Sequence, residues 1–549
     1  MRKAELLAGT VALALFSAGF PLSAQPAIAV VQNNYSYILP GLPNYGIAPG
    51  ALILIQGTGL TAPGSQASPL QDPSKALPTT LHGSSVFVTV GNTTVNPALY
   101  YTCSASVCGT PYDLIAAVLP SSTPLGTLAQ VTVKYNSVPS QPYNTMVIQS
   151  AFGFDAYYGT GNGMAAVRDN FTGSLITPTN SAHPGETIVF WGSGIGADTN
   201  NDDVNPPTDF ANLTDISQLF IGGMPVSIAY QGRSQFQGVD QIDVTLPQSV
   251  PTGCAVSVTA VSGSGASAVV SNTVTIPISA NGGACSDTLQ PISAATMSAL
   301  SGQPLVDFSS LGLSQATNTT GVVRTASAQF TSIVGSSLWP YLSNTLPSIG
   351  SCVVYQQMGS APVNPFQLQG LSPGRISVTG ANGMQAALNT IPVSPGVYTG
   401  SLLAGLLQPG PFTFAGQGGT DVQPFTASVN FPNALNWTNQ AAATNITRSQ
   451  NFTVTWTPGD PNTYVQISGS ATEGATAGLT EPTTVFFVCD AAAGYGSFTI
   501  LPSILMALPA ASGGLTVANY TYPASFSASG LNFGYAASNV SVFVPGQYQ

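Results

Sequence analysis

The chain has 549 residues, 44% hydrophobic and 5% charged, with 58 Gly and 43 Pro. That apolar share over that length fills about three to four ordinary cores and excludes a disordered chain. The formal charge of −11 repels phosphate backbones and excludes nucleic acid as a ligand.

With so few ions, Ser, Thr, Asn and Gln must wet the surface, as in exported β-proteins. Met1-Arg2-Lys3, an apolar run over residues 6–16 and small residues at Ser23-Ala24 or Ala27-Ile28-Ala29 read as a secretory signal peptide, and residues 1–29 are set aside from the fold. Without Arg2, Lys3 and Glu5 the charge becomes −12. No other stretch approaches the roughly 20 apolar residues of a membrane helix. No Cys stands at the cleavage site to support a lipid anchor. The expected location is secreted, extracellular or at the cell surface, with no membrane span in the mature chain.

After the leader the chain says the same thing twice. Pro49-Gly50, a strand-like run and Gly57-Thr58-Gly59-Leu60 are matched by Pro184-Gly185, a second run and Gly192-Ser193-Gly194-Ile195. Asp113 to Leu119-Pro120 is matched by Asp240 to Leu246-Pro247, and Asn144-Thr145 with Ile148 by Asn272-Thr273 with Ile276. Anchors kept in order over this length mark an internal duplication, each copy long enough for its own core. Expected strands fall at 52–55, 86–90, 114–119, 131–135 and 145–148, then at 187–191, 219–221, 241–246, 256–261 and 273–276. They are short, β-branched and separated by turn residues. The reading is all-β, with tandem immunoglobulin-like β-sandwich domains at 30–150 and 151–285.

The succession Pro-Gly, apolar strand, Gly-x-Gly-Leu/Ile, Leu-Pro and Asn-Thr-x-x-Ile resembles IPT/TIG-type immunoglobulin-like domains. Gly163-Met-Ala-Ala-Val-Arg-Asp-Asn-Phe-Thr-Gly-Ser174 with Thr177-Pro-Thr-Asn-Ser-Ala-His-Pro-Gly185 is similar to the tandem module of secreted acidobacterial proteins, the Solibacter-type C-terminal domain family. The resemblance covers residues 34–279. It implies an exported fold and carries over no catalytic residue. Two departures are the Cys103 to Cys108 insertion and the long chain that follows the module.

That second half is again β-type, with expected strands at 326–333, 353–357, 375–379, 412–415 and 426–431, giving a third sandwich over 286–433. Beyond it, 451–456 and 463–467 flank the turn Pro458-Gly-Asp-Pro-Asn462 and read as a hairpin. With 485–488, 515–522 and 540–544 they form a fourth, fibronectin-like sandwich over 434–549. Single helical turns are expected near 294–300 and 503–508.

Six cysteines in an exported chain read as disulfides, with 15 pairings open. Proximity favours Cys103-Cys108 and Cys254-Cys285, and elimination leaves Cys352-Cys489.

Chemistry is sparse. Gly370-Leu-Ser372-Pro-Gly374 fits a nucleophile elbow in letters, but Pro follows Ser, no helix is expected, and the only histidines, His82 and His183, lie upstream. Gly159-x-Gly161-x-Gly163 and Gly192-x-Gly194-x-Gly196 lack a following Lys or helix and read as turns. Asp240 and Asp243 fall on opposite faces of a strand and do not pair. Asp198, Asn200, Asp202 and Asp209 have the spacing of a calcium loop, although Asp203 replaces the turn glycine and the terminal Glu is missing, which favours a solvated acidic loop. Zinc has no ligand set free of the disulfides. Tyr35, Tyr37, Tyr45, Tyr157 and Tyr158 are contact candidates, whereas Trp191 and Trp456 read as core.

The functional expectation is therefore a non-catalytic, secreted scaffold or binding module at the cell surface or in the matrix. Glycans or cell-surface proteins are its partners, and no cofactor is expected beyond a structural calcium. The alternative is a carboxylate-based glycan hydrolase with its site in the C-terminal half.

Overall fold

The computed structural model describes residues 25–67, 74–198, 204–207, 213–344, 346–359, 366–457, 460–475 and 481–549. Residues 1–24, most of the segment expected to be a leader, lie outside them. The fold starts earlier than the expected boundary at residue 29, because strand β1 (Ala27–Asn33) pairs with Leu52–Thr58 from Ala27↔Thr58 onward. Gly57 touches Ala27 so closely that a Cβ there would lie 2.0 Å from the Ala27 carbonyl oxygen. Residues 27–29, set aside in the sequence reading, therefore belong to the folded edge of the first sandwich.

Each copy closes its own sandwich, and the strand order is the same in both. In the first, the sheet Ala27–Asn33, Leu52–Thr58, Asp113–Val118, Ala98–Cys103 faces the sheet Tyr143–Val147, Gly126–Tyr135, Ser84–Val90, Thr93–Val95. In the second, Gly153–Phe154, Thr187–Ser193, Asp240–Thr245, Ile228–Arg233 faces Val274–Ile278, Gly253–Ser262, Ile216–Ile221, Met224–Val226. Val86, Val88, Ile53, Ile115, Val131 and Val133 fill one core, and Phe154, Phe190, Ile188, Ile242, Val258 and Ile276 the other. The Ser84–Val90 strand shows the cause, since its residues alternate buried and half-buried along the pleat.

The duplicated letters are duplicated contacts. Gly50 N donates to Leu119 O at 2.6 Å and Gly185 N to Leu246 O at 2.8 Å, so each Pro-Gly meets its own Leu-Pro. Both glycines sit at positive φ, +77° and +86°, where an L side chain is strained. The Asp113 carboxylate accepts from Leu60 N at 3.0 Å, and Asp240 from Gly194 N and Ile195 N at 2.7 and 2.8 Å. Each Asp therefore caps the Gly-x-Gly turn of its own copy.

The two sandwiches join at a tight seam. Ser193 Oγ accepts from Leu52 N at 2.7 Å and donates to Gly238 O at 2.6 Å, while Asn33 Nδ2 donates to Ala151 O and Ser193 O. Arg233, 1% exposed, pairs with the fully buried Asp240, donates to Gly196 O at 2.7 Å and leaves no room for a side chain at Gly50. Burial drives the Asp240 carboxyl upward, and the Arg233 charge with the two turn N–H groups pulls it back.

The C-terminal half corrects the expected split at residue 433. After helix α1 (Ala294–Ser301) come the hairpin strands β2 (Val306–Asn318) and β3 (Gly321–Ile333), helix α2 (Leu338–Ser343), β4 (Cys352–Met358), β5 (Thr463–Glu473), β6 (Thr483–Ala492), β7 (Ser512–Thr521) and the 16-residue β8 (Phe533–Tyr548). One sheet runs β4-β6-β5-β7-β8-β2-β3 and continues through Val397–Ser401, Gln385–Thr390, Ile376–Gly380, Gly410–Gly416 and Phe425–Phe431. The join is parallel, Phe308↔Phe533 to Thr317↔Val542. Early β8 residues Ala536 and Val540 pack with Phe330, Phe412 and Phe414, while Val542, Val544 and Tyr548 pack with Trp437, Trp456, Ile467 and Phe487. Two cores thus share one strand. A parallel pairing between segments so distant in sequence leaves no local turn signal.

The expected 451–467 hairpin is also corrected. Phe452–Thr455 pairs with Ser497–Ile500, while β5 pairs with β6 and β7. Asp460 to Thr463 forms a turn, Thr463 N donating to Asp460 O at 3.0 Å, but the strand partners are chosen by tertiary packing. All three disulfides, Cys103–Cys108, Cys254–Cys285 and Cys352–Cys489, are formed.

Candidate functional site

Alternation along β5, β6 and β7 sends Val465, Ile467, Phe487, Cys489, Leu515 and Val517 into one core. Their neighbours face the other way, and register lines them up: Tyr464 opposite Tyr520, Gln466 opposite Asp490, Val488 opposite Val353, and Tyr520 opposite Asn539. Helix α2, residues 159–162 of the connector and the arm between β1 and Leu52–Thr58 stand over this face. They leave a cleft of about 920 Å³ lined by Tyr37, Tyr341, Tyr355, Phe366, Tyr464, Tyr520 and Tyr535, with Asn162, Asn344, Gln356 and Gln466 between the rings.

The rings are held in place. Tyr464 stacks on Tyr520 with centroids 5.3 Å apart and touches Tyr522 at 5.5 Å; Tyr355 stacks on Phe486 at 5.3 Å; Tyr341 meets Phe308 and Phe366 edge-on. Burial, reinforced by Asp490, pushes the Tyr464 phenol well up and Tyr520 to about 12, and burial with the neighbouring Tyr341 puts Tyr535 at about 12. These hydroxyls stay neutral and can both donate and accept. Beneath them Asp490 is fully buried and accepts from Gln466 Nε2 at 3.2 Å; burial pushes its carboxyl well above the usual range.

The arm is fastened from both ends. Asn33 Oδ1 accepts from Tyr35 N and Ser36 N, and Tyr37 takes a left-handed φ of +52°. Gln356 of β4 donates to Tyr37 O at 2.5 Å and accepts from Leu39 N at 3.2 Å, while Leu42 enters the core containing Trp437 and Trp456. A smaller recess of about 250 Å³ lies against the same wall, sharing Tyr37, Asn162, Tyr355 and Gln356 with the cleft.

Of the tyrosines singled out from sequence, Tyr37 reaches the cleft. Tyr45 is buried, its hydroxyl donating to Val31 O, and Tyr157 and Tyr158 form an exposed edge-to-face pair at 5.1 Å. Trp456 is core, but Trp191 is half-buried, with Arg168 5.4 Å above its ring. Sequence reasoning missed Tyr355, Tyr464, Tyr520 and Tyr535. Their period-2 placement on opposed strands was the available signal, yet strand pairing had to be known to use it.

The remaining candidates take structural places. Ser372 lies in a loop between strands, its N–H donating to Asp421 Oδ2 at 2.7 Å. Gly159 and Gly161 lie in the bend of the connector and Gly163 begins the short strand Gly163–Met164, all at φ of +63° to +80°, and Gly159 borders the cleft. Asp240 is buried and Asp243 half-buried on the same strand. Asp287 accepts from Cys254 N, Leu289 N and Ser348 Oγ, holding the junction between the second sandwich and the C-terminal sheet. No carboxylate lines the cleft among the described residues. Asp198 is buried with its N–H on Ser121 Oγ; Asn200, Asp202 and Asp209 lie outside the described residues, as does the turn at 458–459. Among the described residues no helix is long and apolar enough to cross a membrane.

No family model matches the chain, and no curated protein matches it. Among solved structures it is similar to a Bacteroides ovatus mixed-linkage glucan utilization locus protein, SGBP-B, in complex with a mixed-linkage heptasaccharide, at 10% identity over 81% of this chain and 91% of that one, with a TM-score of 0.13. It is also similar to the ICAM-5 D1–D4 ectodomain fragment, at 13% identity over 92% and 96% with a TM-score of 0.12, and to the four N-terminal Ig domains of Dscam1 isoform 9.44, at 8% identity over 85% and 95% with a TM-score of 0.10. Scores this low carry no argument about function.

Proposed function

We propose that this is an exported, non-catalytic binding protein of the cell surface or matrix, built on a rigid β-scaffold and holding its ligand, a glycan or a surface protein, in the tyrosine-lined cleft. One observation carries the reading: seven aromatic rings and four side-chain amides converge on a single cavity of about 920 Å³, the apolar wall with a few placed polar groups that ligand sites present. Three disulfides suit an oxidising compartment. The shared topology of the two N-terminal sandwiches supports the resemblance to the IPT/TIG-like tandem module, whose membership we retain as a proposal. A pull-down from surface polysaccharides and surface proteins, run with the intact protein and with Tyr355→Ala and Tyr520→Ala, tests the function. Capture should fall in both variants; capture that both variants retain in full would remove the cleft from the account.

The hydrolase alternative requires paired carboxylates facing a substrate. Asp287 and Asp490 interact electrostatically, but the first is tied down and the second is sealed from solvent.

A further inference from the structure

Building on that cleft as the ligand site, we infer that its occupant is an uncharged polysaccharide chain and that acidic glycans are turned away. The lining offers two kinds of group. Tyrosine rings present flat apolar faces, and asparagine and glutamine amides present a donor and an acceptor side by side. A sugar chain is the polymer that needs both at every unit, since its rings have apolar faces and its hydroxyls donate and accept together. An extended peptide would instead pair its backbone with a strand edge; at β4, the edge strand beside the cleft, Gln356 is already bonded to the arm, and the floor itself is a sheet face.

Charge fixes the class further. No Lys or Arg lines the cleft or the adjoining recess among the described residues. The ionisable groups beside them are carboxyls: Asp490 under Tyr464 and Tyr520, and Asp155 acting on Tyr35 and Tyr37. The chain as a whole carries −11. A uronate or sulfate entering this space would give up its water and meet no cation, a cost that no lining amide offsets. A neutral sugar meets no such penalty. The cleft of about 920 Å³, with the recess of about 250 Å³ adjoining it at Tyr37, Asn162, Tyr355 and Gln356, exceeds what one sugar ring fills, so the ligand is a chain.

The test uses the full mature protein on an array of neutral glucan, mannan, galactomannan and xylan beside polygalacturonate, hyaluronan and heparin, followed by calorimetry on each hit. At least one neutral glycan should bind, with a Kd changing less than about twofold between low and high salt, because screening acts only on charge. Tyr520→Ala should weaken that binding about tenfold or more, the scale of one lost stacking platform. Asn162→Lys, which replaces one lining amide with a cation, should admit polygalacturonate. An anionic glycan bound by the unmodified protein and lost in Tyr520→Ala would overturn the neutral class while leaving the cleft as a binding site. Silence across the whole array would overturn the sugar assignment, and the pull-down against surface proteins would then decide the wider reading separately.

Discussion

Breaking the Cys352–Cys489 bond should cost the C-terminal half more stability than either other disulfide costs its own unit. The bond closes a loop with a sequence separation of 137, against 31 for Cys254–Cys285 and 5 for Cys103–Cys108. In the chain-entropy account these loops restrict the unfolded chain by about 5, 4 and 2 kcal/mol in that order. The geometry adds a local reason. Strand β4 is an edge strand whose ladder runs to β6 alone, and the two cysteines stand directly opposite in that ladder. Without the bond, Tyr355 and Gln356 lose their anchor, and the cleft wall and the arm loosen together. The perturbation is the double variant Cys352→Ala/Cys489→Ala. Urea unfolding followed by the fluorescence of Trp437 and Trp456, both in the core this bond enters, should show a loss of about 3 to 5 kcal/mol. Cys103→Ala/Cys108→Ala, read by calorimetry on the first sandwich, should lose about 2 kcal/mol. A loss below about 1 kcal/mol for the long-loop pair, or equal losses in the two variants, would refute the reasoning.

Removing one partner of the seam ion pair, Arg233→Met, strands the buried Asp240 carboxylate and should lower stability by about 3 to 5 kcal/mol, measured by thermal melting; Arg233→Met/Asp240→Leu should recover part of the loss. Burial pushes the Asp155 carboxyl up to about 6, so the fold favours its protonated form. The stability it contributes is full below the unfolded value of about 3.9 and is lost as pH rises through about 6. Asp155→Asn should therefore gain about 3 kcal/mol at pH 7 and almost nothing at pH 4, seen in denaturant titrations at both; equal gains would contradict the assignment. Melting in the presence of a calcium chelator should be unchanged, as a loop that holds no ion requires, whereas a lowered Tm that Asp198→Asn abolishes would assign calcium to Asp198, Asn200, Asp202 and Asp209.

The N-terminal half was legible because its signals are local and repeated. Pro-Gly, Gly-x-Gly, Asp and Leu-Pro each mark a backbone contact that recurs in the second copy, so the letters and the contacts are the same information. Farther on, the signals turned non-local. Thr463 to Ile467 looked like half of a hairpin and is a central strand. The parallel pairing of Val306–Asn318 with β8 has no connecting turn to announce it, and the domain boundary placed between them fell inside a sheet. Three cysteine pairs were reachable by distance and elimination, since proximity along the chain limits which thiols can meet. The cleft was the least visible feature. Its tyrosines come from the arm, α2, β4, β5, β7 and β8, and only the tertiary arrangement brings them to one cavity.

The strand shared by both C-terminal cores follows every segment it joins. During synthesis, which delivers the chain from its N-terminal end, the two duplicated sandwiches can close as soon as they emerge. The remaining units must wait with exposed apolar faces until residues 533–548 arrive. Shortening the chain by that one strand would leave two cores open at once, along with the β8 side of the tyrosine floor. Half of the molecule is thus committed to finishing late and all together.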